Sequence, residues 1–323
     1  GSHVRLDQAA IDTDDVPEWL RPPPTKKIDG AYRYVRYLCN LRDELEVNLW
    51  AVVWESGKPG ASLFGPRLTM NVIVVDQSFD RIPCAQWFST QELPQYSLRV
   101  SLPTSGDPMV STLPFLAVGD VVRVHRVRAA AKPPRYMNIF MQNFSSAIAV
   151  EFGPAADREA AGAREGGGAA EDVPVVRPIT AFDNATFVDA DRERALELLS
   201  WVRRRVSNET ISGYIVLASE LPWSLPNRDL VVQVLRTRPD VCELVVTDGS
   251  TPEPLSVEVS EPALAAKWLF EHVRPGHWLK LRSVAQSGGG CGGATCRTSA
   301  ATVTRLPPWC FDVAERLRLL ESR

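Results

Sequence analysis

The sequence predicts an all-β-dominated protein, two small β-barrels in tandem with a few helices, and three observations predict it. Short strand-like runs recur on both sides of one stretch rich in Gly, Ala, Pro and acidic residues. Two sequence blocks recur in the same order in the two halves. One strand, GDVVRVHRVRA from Gly119 to Ala129, slips its apolar phase in the way a barrel corner demands.

Size and composition allow this plan. A chain of 323 residues exceeds one ordinary domain, so two domains and a linker are expected. A hydrophobic share of 45% and a charged share of 23% are those of soluble globular proteins, and no apolar run approaches the roughly 18 residues of a membrane span. The opening GSH resembles a cloning scar, and the residues after it lack the charged-then-apolar order of a signal peptide. Cys39, Cys84, Cys242, Cys291, Cys296 and Cys310 are scattered in a chain large enough to fold without staples, which favours reduced thiols and an intracellular site. The net charge of -3 averages two opposite regions. Arg123, Arg126, Arg128, Lys132 and Arg135 face only Asp120 between Gly119 and Met137, whereas Glu151 to Asp172 is acidic. A local basic stripe can steer a polyanion even where the total cancels.

The first barrel, residues 30–152, is built from runs in this order: LWAVVW (Leu49 to Trp54), RLTMNVIVVD (Arg67 to Asp76), YSLRVSL (Tyr96 to Leu102), the Gly119 strand, and YMNIFMQNF (Tyr136 to Phe144). YSLRVSL alternates cleanly, with Leu98, Val100 and Leu102 on the inner phase. In the Gly119 strand Val122 and Val124 share one phase, and Val127 and Ala129 the other. One extra residue at His125-Arg126, a β-bulge, returns all four to the core and turns Arg123, His125, Arg126 and Arg128 outward. Residues 153–178 read as a flexible acidic linker. Residues 179–323 then supply an inter-barrel helix, a second barrel and a C-terminal helix.

In that helix, DADRERALELLSWVRRRV, Asp189 is the expected cap, and Ala195, Leu198, Leu199, Val202 and Val206 form an apolar stripe at helical spacing. Arg203, Arg204 and Arg205 fall in its last turn, where they suit the negative end of the helix dipole. The runs RDLVVQVLRT, CELVVTDG and PLSVEVS come next, followed by a short helix in ALAAKWLFEHV, then GHWLKLRSV and TCRTSAATVTRL. GHWLKLRSVAQ (Gly276 to Gln286) repeats the plan of GDVVRVHRVRA, and ELVVTDGS (Glu243 to Ser250) matches VIVVDQS (Val72 to Ser78). Two blocks in one order indicate an internal repeat. Five strands with a helix between the third and fourth is the pattern of the OB-fold, whose second and third strands and long loops commonly hold single strands.

The residues also resemble the protection-of-telomeres and ciliate telomere end-binding proteins. The resemblance runs through YRYVRYL (Tyr32 to Leu38), NLWAVV, VIVVDQ, LPFLAVGDVVRVHR, FVDADRERALELLSWV, ELVVTDGST and VRPGHWLKLRSV, nearly the whole chain from Tyr32 to about Leu319. It implies two tandem OB-folds gripping the G-rich single-stranded overhang of telomeres, in the nucleus, protecting chromosome ends and regulating telomerase access, with a telomere-complex protein partner. By the same resemblance Arg126 falls on a DNA-facing basic position and Lys58 near another, in the loop after the first strand, while Phe64 and Arg67 stand where relatives use polar and basic residues. Two features depart from it. Glu55 and Ser56 replace the aromatic pair that relatives carry, so base stacking passes to Trp54, Phe64 or Tyr136. An insertion, RIPCAQWFSTQELPQ, brings Trp87 and Phe88 between the second and third strands. The chain ends without the further partner-binding region of relatives, which suggests a fragment.

Single-strand binders combine cations along the backbone with aromatic platforms, a demand that Arg99, Arg126, Arg128, Arg135 and Tyr136 meet jointly. Trp50 and Trp54 share a strand phase that also suits the core, and Trp268 reads as a plug for the second barrel. CGGATC (Cys291 to Cys296) has four intervening residues and only Cys310 as a further thiol, so a mobile loop is expected there rather than zinc. No phosphate loop, metal-binding helix pair or nucleophile elbow is present. The expectation is a monomeric binder with no enzyme activity, cofactor or membrane partner. An OB-fold scaffold that mainly binds protein is the alternative, favoured by the missing aromatic pair and the acidic linker.

Overall fold

The computed structural model describes residues 34–41, 44–61, 67–81, 95–103, 115–132, 136–152, 174–179, 187–223, 228–259, 263–286, 295–298 and 303–323. The first sheet comprises β1 (Tyr34–Val35), β2 (Glu44–Ala61), β3 (Arg67–Val75), β4 (Gln95–Pro103), β5 (Val121–Lys132), β6 (Tyr136–Phe152) and β7 (Pro174–Pro178). Its order is β2-β3-β4-β6-β5, and β5 pairs back onto β2, so the sheet closes on itself. β4 and β6 run parallel and the other barrel pairs antiparallel. A closed five-strand barrel with parallel third and fifth strands is the OB-fold.

The second sheet repeats it with β8 (Ile215–Val216), β9 (Arg228–Arg238), β10 (Glu243–Thr247), β11 (Leu255–Val259), β12 (Trp278–Gln286), β13 (Thr295–Thr298) and β14 (Val303–Leu306). β9-β10-β11-β13-β12 closes through β12 on β9, with β11 and β13 parallel. The run TCRTSAATVTRL, expected as one fifth strand, is two: β13 meets the end of β12 and β14 its beginning. Among the described residues three α-helices accompany the sheets, α1 (Asp189–Asn208), α2 (Ala263–His272) and α3 (Phe311–Glu321).

The cores follow the strand phases. Val122, Val124 and Val127 are fully buried and Ala129 nearly so, on β5. They face the same interior as Val52, Met70, Val72 and Val74. Each such aliphatic side chain contributes about 1.5–3 kcal/mol on burial. In α1 the stripe Ala195, Leu198, Leu199, Val202 and Val206 is buried as its spacing predicts, with Trp201 added.

The duplication extends to particular atoms. Between Val124 and Val127, His125 and Arg126 stand opposite the single residue Asn48 of β2, and Asn48 Oδ1 accepts the Arg126 N–H at 2.9 Å. Between Leu281 and Val284, Arg282 and Ser283 stand opposite Asp229 of β9, whose Oδ1 accepts the Ser283 N–H at 3.3 Å. Arg126 and Ser283 share a left-handed backbone, with φ of 56° and 52°. That conformation costs a non-glycine residue about 1–2 kcal/mol, which the captured N–H helps to offset. The two strand-end carboxylates repeat as well. Asp76 accepts from the Leu38 and Ser78 N–H groups and the Ser78 hydroxyl, and Asp248 accepts from Ala218, Ser250 and the Ser250 hydroxyl in the same arrangement.

The barrels are joined directly. Ala117 and Arg305 form a parallel bridge in which the Val118 N–H donates to the Arg305 carbonyl at 2.9 Å. Gly119, at φ +92°, lies under Trp309, whose ring would be 2.6 Å from any added Cβ. The buried residues of both barrels form one hydrophobic cluster.

Three further sequence expectations change. The first strand does not stop at Trp54 but runs to Ala61, with irregular register at Val53/Glu55 and Ser56/Pro59, so Lys58 stands on β2 and not in a loop. Residues 174–178, expected to be linker, form β7 along β6, because a β-edge left open there would carry unpaired backbone groups. Residues 153–173 lie outside the described residues. The carboxylate that caps α1 is Asp191, which accepts the Val188 N–H at 3.1 Å, because the chain turns one residue before Asp189 and leaves Asp189 exposed.

Candidate nucleic-acid interface

The outer face of β5 divides into a covered half and an open half. Arg123 points out of the barrel, as the alternation requires, but α1 lies on that face. Its guanidinium is 3% exposed, 2.5 Å from Asp191 Oδ2 and 5.8 Å from the centre of the Trp50 ring. Arg123 therefore fastens α1 to the barrel and is withdrawn from ligand contact, because outward from a barrel is not the same as into solvent. Further contacts hold α1 to the same barrel. Trp201 Nε1 donates to Asp80 at 2.8 Å, and Arg194 donates to the Arg36 carbonyl at 2.8 Å.

His125 and Arg126 mark the turning point. The His125 ring meets Tyr34 edge-on, with centroids 5.4 Å apart, and hydrogen-bonds the Tyr34 hydroxyl. Burial first, and the Arg123 charge second, push the imidazole down to about 4. Burial pushes the Tyr34 hydroxyl up to about 12. At neutral pH the pair is uncharged, so His125 braces the bulge and does not add a cation to the stripe. Arg126 is half-buried at the bulge itself, presented by the Asn48 bond to its backbone.

The depressed value of His125 has a consequence for stability. An unfolded imidazole takes up its proton near 6.5, and the folded one only at about 4. The contribution is complete above pH 6.5 and is lost as pH falls toward 4. Urea denaturation across that window is expected to show the loss, and His125→Gln to remove the His125 share of the slope.

Beyond the bulge β5 emerges. Arg128 is exposed, and the register sets it opposite Phe140 of β6, which stands opposite Arg99 of β4, which stands opposite the exposed Asn71 of β3. Residues directly opposite across a sheet share a face, so one row across β3, β4, β6 and β5 reads Asn71, Arg99, Phe140, Arg128. A second row in phase with it contains Lys132, Tyr136 and Gln95. Arg67 falls on the same phase of β3 as Asn71. The register thus brings Arg67, Arg99, Arg128 and Tyr136 to one face, while α1 covers Arg123 and Tyr34 engages His125. Trp54 packs half-buried against the core and is not an open platform. Lys58 lies on β2, while Phe64, Arg135, Trp87, Phe88 and Cys291 lie outside the described residues. No group of His, Cys, Asp and Glu suited to a metal ion occurs among the described residues.

Phe140 and Lys132 were missed as site residues. The signal was present in YMNIFMQNF, where strand alternation sets position 140 in opposite phase to Ile139. Asn48 was missed too, although NLWAVV and RDLVVQV place Asn48 and Asp229 at the same offset before an apolar run.

At the seam between the barrels Arg282 donates from one guanidinium nitrogen to both oxygens of Glu55, at 2.7 and 2.8 Å. The two departures from the aromatic pair therefore have structural roles. Glu55 ties β2 to β12, and Ser56 is fully buried with its hydroxyl on Met70 Sδ at 3.9 Å.

No protein-family model and no curated protein matches the sequence. Among solved structures the chain is similar to fission yeast Pot1 with single-stranded DNA, at 14% identity over 87% of this chain and 90% of that one, with a TM-score of 0.31. It is also similar to a replication protein A heterotrimer bound to single-stranded DNA, at 11% identity over 89% of this chain and 54% of that one, with a TM-score of 0.42. A second Pot1 complex with single-stranded DNA matches at 14% identity over 55% of this chain and 89% of that one, with a TM-score of 0.33.

Proposed function

We propose that the chain binds single-stranded DNA along the outer face of the first barrel, across β3, β4, β6 and β5. The observation that carries this reading is the row Asn71, Arg99, Phe140, Arg128, with Lys132 and Tyr136 beside it. Cations spaced along a sheet can follow a phosphate backbone, and aromatic positions between them can stack bases. A stacked base is worth about 1–3 kcal/mol, whichever base it is. The finer reading is the G-rich overhang of telomeres, bound by a monomer in the nucleus that protects chromosome ends, limits telomerase access and meets a telomere-complex protein, without catalysis or cofactor. It is supported by the sequence resemblance through LPFLAVGDVVRVHR and the blocks around it.

Arg128→Gln and Arg126→Gln test the electrostatic part. Each lost phosphate contact on a single strand lowers the slope of log affinity against log salt by about 0.7, so the double variant is expected to lose about 1.4. Arg126 already sits in the left-handed region, so its replacement by Gln adds no backbone strain and the fold is expected to stay intact. An unchanged slope in polarisation titrations would remove both residues from the interface. Phe140→Ser is expected to weaken binding by about 1–3 kcal/mol with little change in slope, which separates stacking from charge.

A protein-binding scaffold is the second reading. Glu55 and Ser56 favour it, since the positions given to an aromatic pair in the resembled proteins are here one ion pair and one buried hydroxyl. Tight capture of a partner by the chain, with no single-strand affinity at low salt, would select it.

A further inference from the structure

The internal repeat separates what the bulge needs from what it does not. Both barrels keep the left-handed residue and the side-chain acceptor for its N–H, Arg126 on Asn48 and Ser283 on Asp229. The residue just before differs. His125 meets the neutral hydroxyl of Tyr34 within its own barrel, whereas Arg282 meets a carboxylate of the other barrel, Glu55. Closing the barrel does not require that pair. Arg282 and Glu55 are 35% and 21% exposed, so a polyanion at the seam can reach them. One guanidinium nitrogen meets both oxygens of one carboxylate, a charge-assisted contact that a phosphate oxygen can also accept. Asp229 Oδ2 lies 4.0 Å from Arg282 Nε.

We propose that Arg282 is a phosphate-backbone site of the second barrel, and that Glu55 occupies it as an internal phosphate surrogate until a single strand crossing the seam displaces the carboxylate. The proposal rests on the single-strand reading and deepens it. No bond is made or broken: one anion replaces another on the same guanidinium, and Glu55 turns to water. In the free protein the pair adds to the backbone bridge and shared core that already join the barrels, and it yields only to a strand long enough to pass from the first barrel to the second.

Polarisation titrations with labelled G-rich single strands of two lengths test it on the full chain. OB-folds cover about 4–16 nucleotides each, so a strand of about 6 stays on one barrel and one of about 20 crosses the seam. Glu55→Gln is expected to bind the longer strand about 5-fold more tightly and the shorter one unchanged. Arg282→Gln is expected to bind the longer strand about 5-fold more weakly, and Arg282→Lys to fall between, since it keeps the charge and loses the planar guanidinium. Within Arg282→Gln, adding Glu55→Gln must have no further effect. An equal gain from Glu55→Gln with and without Arg282 would show general repulsion and overturn the proposal, as would a gain on both lengths. If the wild type binds and Glu55→Gln changes nothing, the surrogate alone fails. If neither protein binds either strand, the single-strand reading fails with it.

Discussion

Asp191→Ala is expected to lower stability by about 3–5 kcal/mol, a large share of the roughly 5–15 kcal/mol that holds an ordinary domain together. The substitution strands the Arg123 guanidinium at 3% exposure, with the Trp50 ring remaining. A buried charge that has lost its partner costs far more than a surface pair contributes. It also removes the carboxylate that accepts the Val188 N–H at the start of α1, worth about another 1 kcal/mol. Adding Arg123→Met is expected to restore much of the loss, because an apolar side chain of similar length carries no desolvation penalty there. Urea denaturation of the two variants checks this. A double variant no more stable than Asp191→Ala would show that the pair is not what holds α1 on the barrel.

Trp268→Ala is expected to cost about 3–5 kcal/mol as well, for a different reason. Trp268 is wholly buried on α2, where its ring meets Phe115 at a centroid distance of 5.2 Å and an angle of 81°. Phe115 precedes β5 of the first barrel, so the cavity opens in the contact between barrels as well as in the second core. Loss of stability should therefore appear in both barrels, as a lower midpoint in a thermal melt followed at probes in each. A cost below about 1 kcal/mol, or a loss confined to the second barrel, would show that the barrels fold without each other's support.

Strand phases carried most of the architecture. The slip in GDVVRVHRVRA gave the bulge at His125-Arg126, because four apolar residues cannot all face one core over that spacing without an extra residue. The repeat in GHWLKLRSVAQ carries a second bulge that was not read from its sequence, seen as Ser283 at φ 52°. What local alternation could not show is which outer face another element covers. Arg123 and Arg128 are equivalent by phase, yet α1 buries one and leaves the other open, a fact set by how the α1 stripe docks. Glu55 looked like a missing aromatic because its partner, Arg282, lies 227 positions away in sequence. Asp189 lost the cap to Asp191 because the entry angle of the chain, not the order of acids, chooses the acceptor.

The row across the first barrel would also let a near-neutral protein hold a polyanion, as proposed. Arg99, Arg128 and Lys132 are gathered on one barrel face, whereas Arg123 and Arg282 are matched to Asp191 and Glu55 within the fold. Net charge sums over both groups, and in the proposed reading only the unmatched group is used for binding.

The most direct measurement is a polarisation titration of a labelled G-rich single strand, repeated with its duplex and its C-rich complement over a range of salt. The G-rich strand is expected to bind more tightly than either, with a linear salt dependence that flattens by about 0.7 in Arg128→Gln. Equal binding to the duplex, or a salt dependence that Arg128→Gln leaves unchanged, would contradict a single-strand site on the β3-β4-β6-β5 face.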